Sequence, residues 1–206
     1  MKLVIFGATG RVGSEVTSLA LKDGHEVIAL VREPENIKET KGLTVIKGNV
    51  FEKEDIEKVF THKIDGVISA LGTDRTTTLT AGIANIILAM EKAAVKRIVT
   101  IGTAGILDSR VVPGQFRFQS GESRQKATFA AEEHLKVYQM LKETSLAWTI
   151  ACPTYLPDGI AEGHYRVEKN VLPIDGMKIS VGDTAQFAYE ECLNEHFIRA
   201  RVGLAY

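Results

Sequence analysis

Lys2-Leu3-Val4-Ile5-Phe6-Gly7-Ala8-Thr9-Gly10-Arg11-Val12-Gly13 begins as an apolar run and passes directly into a glycine turn. A helical pattern starts at Val12. Val12, Val16, Leu19 and Ala20 share one face, the pattern runs to Lys22, and Gly24 stands where helices commonly stop. Strand, turn and helix mouth together place backbone N–H groups and the positive end of a helix dipole where a pyrophosphate can sit. Gly7 permits the tight turn, Gly10 lets the backbone approach phosphates, and Gly13 lets the helix pack close to the strand. These twelve residues predict dinucleotide binding.

The same alternation continues along the chain. Strands are expected at Leu3–Phe6, Val27–Val31, Leu43–Lys47, Gly66–Ala70, Arg97–Ile101 and Trp148–Ala151. Helices are expected at Val12–Lys22, after Pro34, and at Lys53–Phe60, Thr78–Ala94 and Ser123–Glu143. The strands are apolar throughout, as in a parallel sheet covered on both faces. The fold class read from this is α/β: one Rossmann-like, doubly wound domain over residues 1–206 with right-handed crossovers. Residues 104–122 and 154–181 read as irregular substrate-side loops, the second with short strands near Tyr165–Val167 and Lys178–Ser180. Asp183 is expected to cap a last helix, Thr184–Leu193.

Composition narrows the function. The 206 residues carry 25 Lys+Arg and 26 Asp+Glu, so no charge imbalance favours a nucleic acid or a membrane surface. No apolar stretch is long enough to span a bilayer. Cys152 and Cys192 match no zinc or redox spacing and read as buried thiols in a reducing compartment; no metal site is expected. Met1 leads straight into the first strand, so the expectation is a cytoplasmic protein, monomeric or weakly dimeric.

The end of the second strand discriminates between cofactors. An acidic residue there would bind the ribose 2′-hydroxyl. Arg32 stands there instead, with Arg11 in the glycine turn, and two guanidinium groups converging on that corner suit a 2′-phosphate. NADP(H) is expected over NAD(H), with Glu33 the competing signal. Asn49-Val50 either bonds the adenine edge or forms a turn. Ser69-Ala70-Leu71-Gly72 ends the fourth strand with small residues, as where backbone passes close to a ligand. The expected cofactor contacts are Gly7, Thr9, Gly10, Arg11, Val12, Gly13, Arg32, Asn49, Val50, Ala70, Leu71, Gly72, Thr103 and Pro153.

These motifs, with Leu30-Val31-Arg32 and Ile179-Ser180-Val181-Gly182-Asp183-Thr184-Ala185, resemble the atypical branch of the short-chain dehydrogenase/reductase superfamily, in its NmrA-like and biliverdin reductase B/flavin reductase groups. Glu133-His134-Leu135-Lys136 and Leu141–Ile150 resemble the second group. Its pocket serine falls on Thr103, a helix histidine on His134, a second histidine on Tyr138, and a pocket histidine on Tyr155. An aromatic residue of that group becomes Gly105, which implies a differently shaped pocket. The superfamily's Tyr-x-x-x-Lys spacing occurs at Tyr138 and Lys142, but at the C-terminal end of its helix, and is read as a chance string.

A site without that pair suits hydride transfer to a flat electrophilic ring whose proton comes from solvent. The resemblance implies an NAD(P)H-dependent reductase of a flavin, quinone or similar flat acceptor. Thr103, Tyr155 and His134 are its candidate catalytic residues, each with a plain alternative as turn residue, loop aromatic or packed helix residue. Arg124 and Lys126 read as acidic-substrate contacts or, better, as a solvated helix face. Phe116, Phe118, Tyr155, Leu156 and Tyr165 are expected to wall the acceptor pocket. Two alternatives stand beside this reading: an NmrA-like, non-catalytic NADP(H) sensor and, more weakly, a sugar-nucleotide epimerase or dehydratase relative.

Overall fold

Strand β1 (Lys2–Phe6) sends alternate side chains to opposite faces, and Leu3, Val4, Ile5 and Phe6 are all fully buried. Such a strand needs cover on both sides, which sets the architecture. A computed structural model describes residues 1–38, 40–61, 63–123 and 127–206. After β1 come α1 (Arg11–Lys22), β2 (Glu26–Val31), β3 (Leu43–Lys47), α2 (Lys53–Val59), β4 (Gly66–Ser69), α3 (Thr78–Lys92) and β5 (Arg97–Ile101). Then follow α4 (Phe129–Glu143), β6 (Ala147–Pro153), β7 (Arg166–Lys169), α5 (Val181–Asn194) and β8 (Ala200–Ala205). One sheet takes the order β3-β2-β1-β4-β5-β6-β8-β7. Every pairing is parallel except β7 with β8.

The helices divide between the faces. Val4, Phe6, Ile28 and Ile98 meet Ile56, Ile83, Ile86, Val137 and Leu141, which come from α2, α3 and α4. Leu3, Ile5, Ile68 and Val99 meet Val16, Ala185 and Ala188, from α1 and α5. Each fully buried aliphatic side chain contributes about 1.5–3 kcal/mol.

Several boundaries differ from the sequence reading. Helix α4 begins at Phe129 rather than Ser123, and Arg124 and Lys126 lie outside the described residues. Ser180, not Asp183, caps the last helix. Its Oγ accepts from Asp183 N at 3.0 Å, so α5 starts at Val181. Asp183 accepts instead from Glu162 N, Gly163 N and the Tyr206 hydroxyl. Burial opposes its charge, but the bonds from Tyr206, Gly163, Glu162 and Ser180 outweigh that and hold the carboxyl below its usual range. Lys178–Ser180 is not a strand; Lys178 makes only a bridge to Tyr155.

Strand β8 was not anticipated at all, and β7 lies at Arg166–Lys169. No helix lies between Pro153 and Arg166, and a parallel return would need a crossover, so β7 runs antiparallel to β8.

A buried ion pair joins β5, β6 and α5. Arg97 and Glu191 are 3% and 1% exposed and meet at 2.9 Å. Glu191 also accepts from Thr149 Oγ1 at 3.0 Å and from the backbone N–H groups of His196 and Phe197 at 3.1 and 2.8 Å. The carboxylate therefore shapes the turn that leads into β8. Removing one partner strands a buried charge. Arg97→Met is expected to lower unfolding free energy by about 3–5 kcal/mol in urea melts. A loss below about 1 kcal/mol would show that the pair does not hold α5 to the sheet.

Candidate functional site

The chain winds from β1 outward through β2 to β3, then returns to β4 on the other side of β1. Ligands of such sheets bind beyond the carboxyl ends of the strands at this reversal. A cleft of about 280 Å³ lies there. Gly7, Thr9, Gly10, Arg32, Asn49, Val50, Ala70, Leu71 and Gly72 line it. A larger cavity, about 350 Å³, lies against α5 and shares none of these residues.

The glycine turn is built on close backbone approach. Gly7 has φ +77°, and a Cβ there would lie 2.6 Å from Ala70 O. A Cβ on Gly13 would lie 2.1 Å from Gly7 O. Gly7 O accepts from Gly10 N at 2.9 Å, which closes the turn. Gly10 caps α1 without a side-chain acceptor, so the first-turn N–H groups carry no side-chain cap. This suits an anion at the positive end of the helix.

Arg32 follows β2 and lines the cleft, whereas Glu33 is not among its lining residues. Arg11 departs from expectation. Its Nη1 donates to Leu156 O at 3.1 Å and Asp158 Oδ1 at 2.8 Å, so it is held by the segment after β6 and does not line the cleft beside Arg32. Val12 and Gly13 are buried behind the turn. Asn49 forms a turn, its Oδ1 accepting from Phe51 N, and the residue also lines the cleft. Asp55 fixes this loop by accepting from Asn49 N at 2.9 Å. Bonds from Lys58 and Asn49 hold the Asp55 carboxyl below its usual range.

Phe51, Asp74 and Thr78 also line the cleft and were missed. Asp74 accepts from the hydroxyls of Thr76 and Thr78, which order the segment before α3 and keep its carboxyl ionised to lower pH than usual. The signal was an Asp followed by Thr at i+2 and i+4 just after a strand end, a local turn pattern.

The other candidates lie outside the cleft. Thr103 follows β5, and its Oγ1 accepts from Gly105 N at 3.3 Å, starting a short 3₁₀ turn at Ala104–Ile106. Pro153 is the buried last residue of β6. Tyr155 follows it and is 70% exposed. His134 is buried in the packed face of α4, and burial lowers its pKa to about 4, against a smaller opposing effect of Glu133. It is a neutral imidazole near pH 7 and no ready proton donor.

Tyr138 stacks edge-on to Trp148 and Phe116 beneath the Arg201 guanidinium, 4.5 Å from its ring centroid. The Lys142 carbonyl accepts from Arg199. The Tyr–Lys string is thus part of the packing. The expected aromatic wall does not form. Phe116 joins Phe118 and Tyr138 on the α4 side, while Leu156 and Tyr165 pack against the core of α1 and α5. The sheet itself separates them.

Among the described residues no cluster of three or more His, Cys, Asp or Glu is set to hold a metal, and no helix is long and apolar enough to cross a membrane.

Residues 7–195 match a family described as NAD(P)H-binding. The chain belongs to that NAD(P)H-binding family, and its doubly wound sheet is of the Rossmann type. It is 28% identical over 196 residues to YwnB, an uncharacterised protein of Bacillus subtilis, spanning 91% of this chain and 89% of that one. Several other relatives are matched over only 24% to 32% of their length. A solved structure of a proposed epimerase from Bacteroides thetaiotaomicron is 32% identical, with TM-score 0.86 over 100% of this chain and 96% of that one. A proposed NADH-flavin reductase from Streptococcus pneumoniae, 24% identical, has the same fold, with TM-score 0.83 over 100% and 99% of the two chains.

Two outcomes follow. Gly13→Ala is expected to cost about 2 kcal/mol or more of stability through overpacking and to abolish NADPH binding by fluorescence titration. Wild-type affinity in that variant would refute the role of the tight turn. The His134 pKa, about 4, lies below the ~6.5 of an unfolded histidine. Between those values the unfolded chain binds the extra proton, so stability falls as pH drops from about 6.5 towards 4, by about 3 kcal/mol in all. His134→Gln should shrink the difference between urea melts at pH 7 and pH 5. An identical difference in variant and wild type would count against a buried neutral imidazole.

Proposed function

We propose that this chain reduces a flat acceptor, a flavin or quinone, by direct hydride transfer with NADPH as the preferred donor. The observation that carries the reading is the cleft at the β1/β4 reversal, with a cation, Arg32, where NAD-selective sites place a carboxylate. When bound, the nicotinamide supplies the hydride. The residues present fit such a cofactor. The uncapped first turn of α1 would hold the pyrophosphate, Arg32 the 2′-phosphate, and Asn49, Val50 and Phe51 the adenine side. Thr103 and Tyr155 follow the neighbouring strand ends, where Tyr155 is exposed enough to lie against a flat ring. Solvent supplies the proton at so open a site. The fold shared with the proposed NADH-flavin reductase supports this choice by analogy.

A second reading, a non-catalytic NADP(H) sensor, is favoured by the missing aromatic wall. An epimerase or dehydratase reading is disfavoured because Tyr138 lies beneath Arg201 instead of at the cleft.

NADPH and NADH oxidation with FMN, riboflavin and a soluble quinone separates these. The wild type should show a lower KM for NADPH than for NADH. Arg32→Ala should raise the NADPH value about tenfold and leave the NADH value nearly unchanged. Equal wild-type values would end the NADP assignment. Tight NADPH binding without turnover on any acceptor would replace the reductase reading with the sensor.

A further inference from the structure

Residues 156–163 leave the carboxyl edge of the sheet after β6 and cross to the N-terminus of α5. They are fixed along that helix. Pro157 O accepts from Val181 N at 3.1 Å and Gly159 O from Gly182 N at 2.9 Å. Ser180 Oγ donates to Ile160 O at 2.9 Å, and Asp183 accepts from Glu162 N and Gly163 N. A Cβ on Gly182 would lie 2.2 Å from Ala161 N, so the two backbones touch directly.

On its other flank the strap is hydrogen-bonded to α1 by Arg11. Arg11, the first residue of α1, donates to Leu156 O and Asp158 Oδ1 from the same Nη1. It therefore joins the glycine turn to the segment that begins at Tyr155. A flat acceptor over the nicotinamide would touch that segment, because Arg11 holds it beside the glycine turn beyond the carboxyl ends of the strands.

We infer that Arg11 is a positioning residue for the acceptor side, not a ligand of the cofactor phosphates. The inference deepens the reductase reading and rests on it for the identity of the acceptor. An exposed ion pair alone contributes little, and here the side chains are 59% and 82% exposed. The charged bond to the Leu156 carbonyl adds to it. The effect is to hold the start of the strap in one geometry before the acceptor arrives.

Arg11→Ala, Asp158→Ala and the double variant test this in the full chain. Amide hydrogen exchange over residues 156–163 of the cofactor-free protein should quicken about fivefold in each single variant and no further in the double. The NADPH dissociation constant should stay within about twofold of wild type in all three, while the KM for FMN rises. Unchanged exchange in Arg11→Ala would overturn the inference. So would a tenfold loss of NADPH affinity in Arg11→Ala that Asp158→Ala does not share. Exchange and NADPH binding need no turnover. If the wild type reduces nothing, the reductase reading fails while these two measurements still decide the role of Arg11.

Discussion

Nothing larger than a hydrogen fits on Gly13 between helix α1 and the carbonyl of Gly7. That constraint organises the N-terminal half. The helix must start directly over the end of β1, so its uncapped amides face the space beyond the strand instead of a side chain. Gly7 is in turn pressed against Ala70 just past the end of β4, which draws the two strand ends together. The cleft opens where the chain reverses between them, and Arg32, on the next strand out, reaches it without any special device. The cleft follows from these two close backbone approaches more than from any reactive side chain.

The C-terminal half depends on buried charge. Glu191 takes Arg97, Thr149 and two backbone amides into one carboxylate, and the turn to β8 is drawn around it. Arg201, 4% exposed on β8, donates to the Ile106 carbonyl and to Asp108 while its guanidinium lies over Tyr138 and Phe116. Each cation gives its Nη1 and Nη2 groups to specific acceptors, which offsets much of the cost of burial. The same matching holds Tyr138 beneath Arg201, outside the lining of the cleft.

The difference between the halves explains what could be read in advance. Local pattern made β1 to β5 legible, because apolar runs, glycines and helical periodicity recur at short range. It also picked out most of the residues between Gly7 and Gly72 that line the cleft. Arg201 and Gly203 concealed β8, since a charge and a glycine in Ala-Arg-Val-Gly-Leu-Ala argue against a buried strand until the distant partners Asp108 and Ile106 are known. Ser180 and Asp183 can both cap a helix, and only the amides of Glu162 and Gly163, which claim the aspartate, favour the serine. Arg11 was misplaced for a similar reason. Its neighbours in sequence are the phosphate-binding glycines, but its partner Asp158 lies 147 residues away. The aromatic wall failed because Phe116 and Phe118 lie with Tyr138 on the α4 side of the sheet, whereas Leu156 and Tyr165 pack on the α1 and α5 side.

The position of β8 between β6 and β7 also has a temporal consequence. During synthesis β7 emerges before the strand it must pair with, and β6 shows an unpaired edge over the same interval. Some thirty residues, α5 among them, separate β7 from its partner, so the sheet closes only through long-range, slow-forming contacts. The N-terminal βαβ units can collapse as they appear, while the far edge waits. Charged residues on β7 (Arg166, Glu168 and Lys169) keep that waiting segment soluble and discourage pairing with another chain.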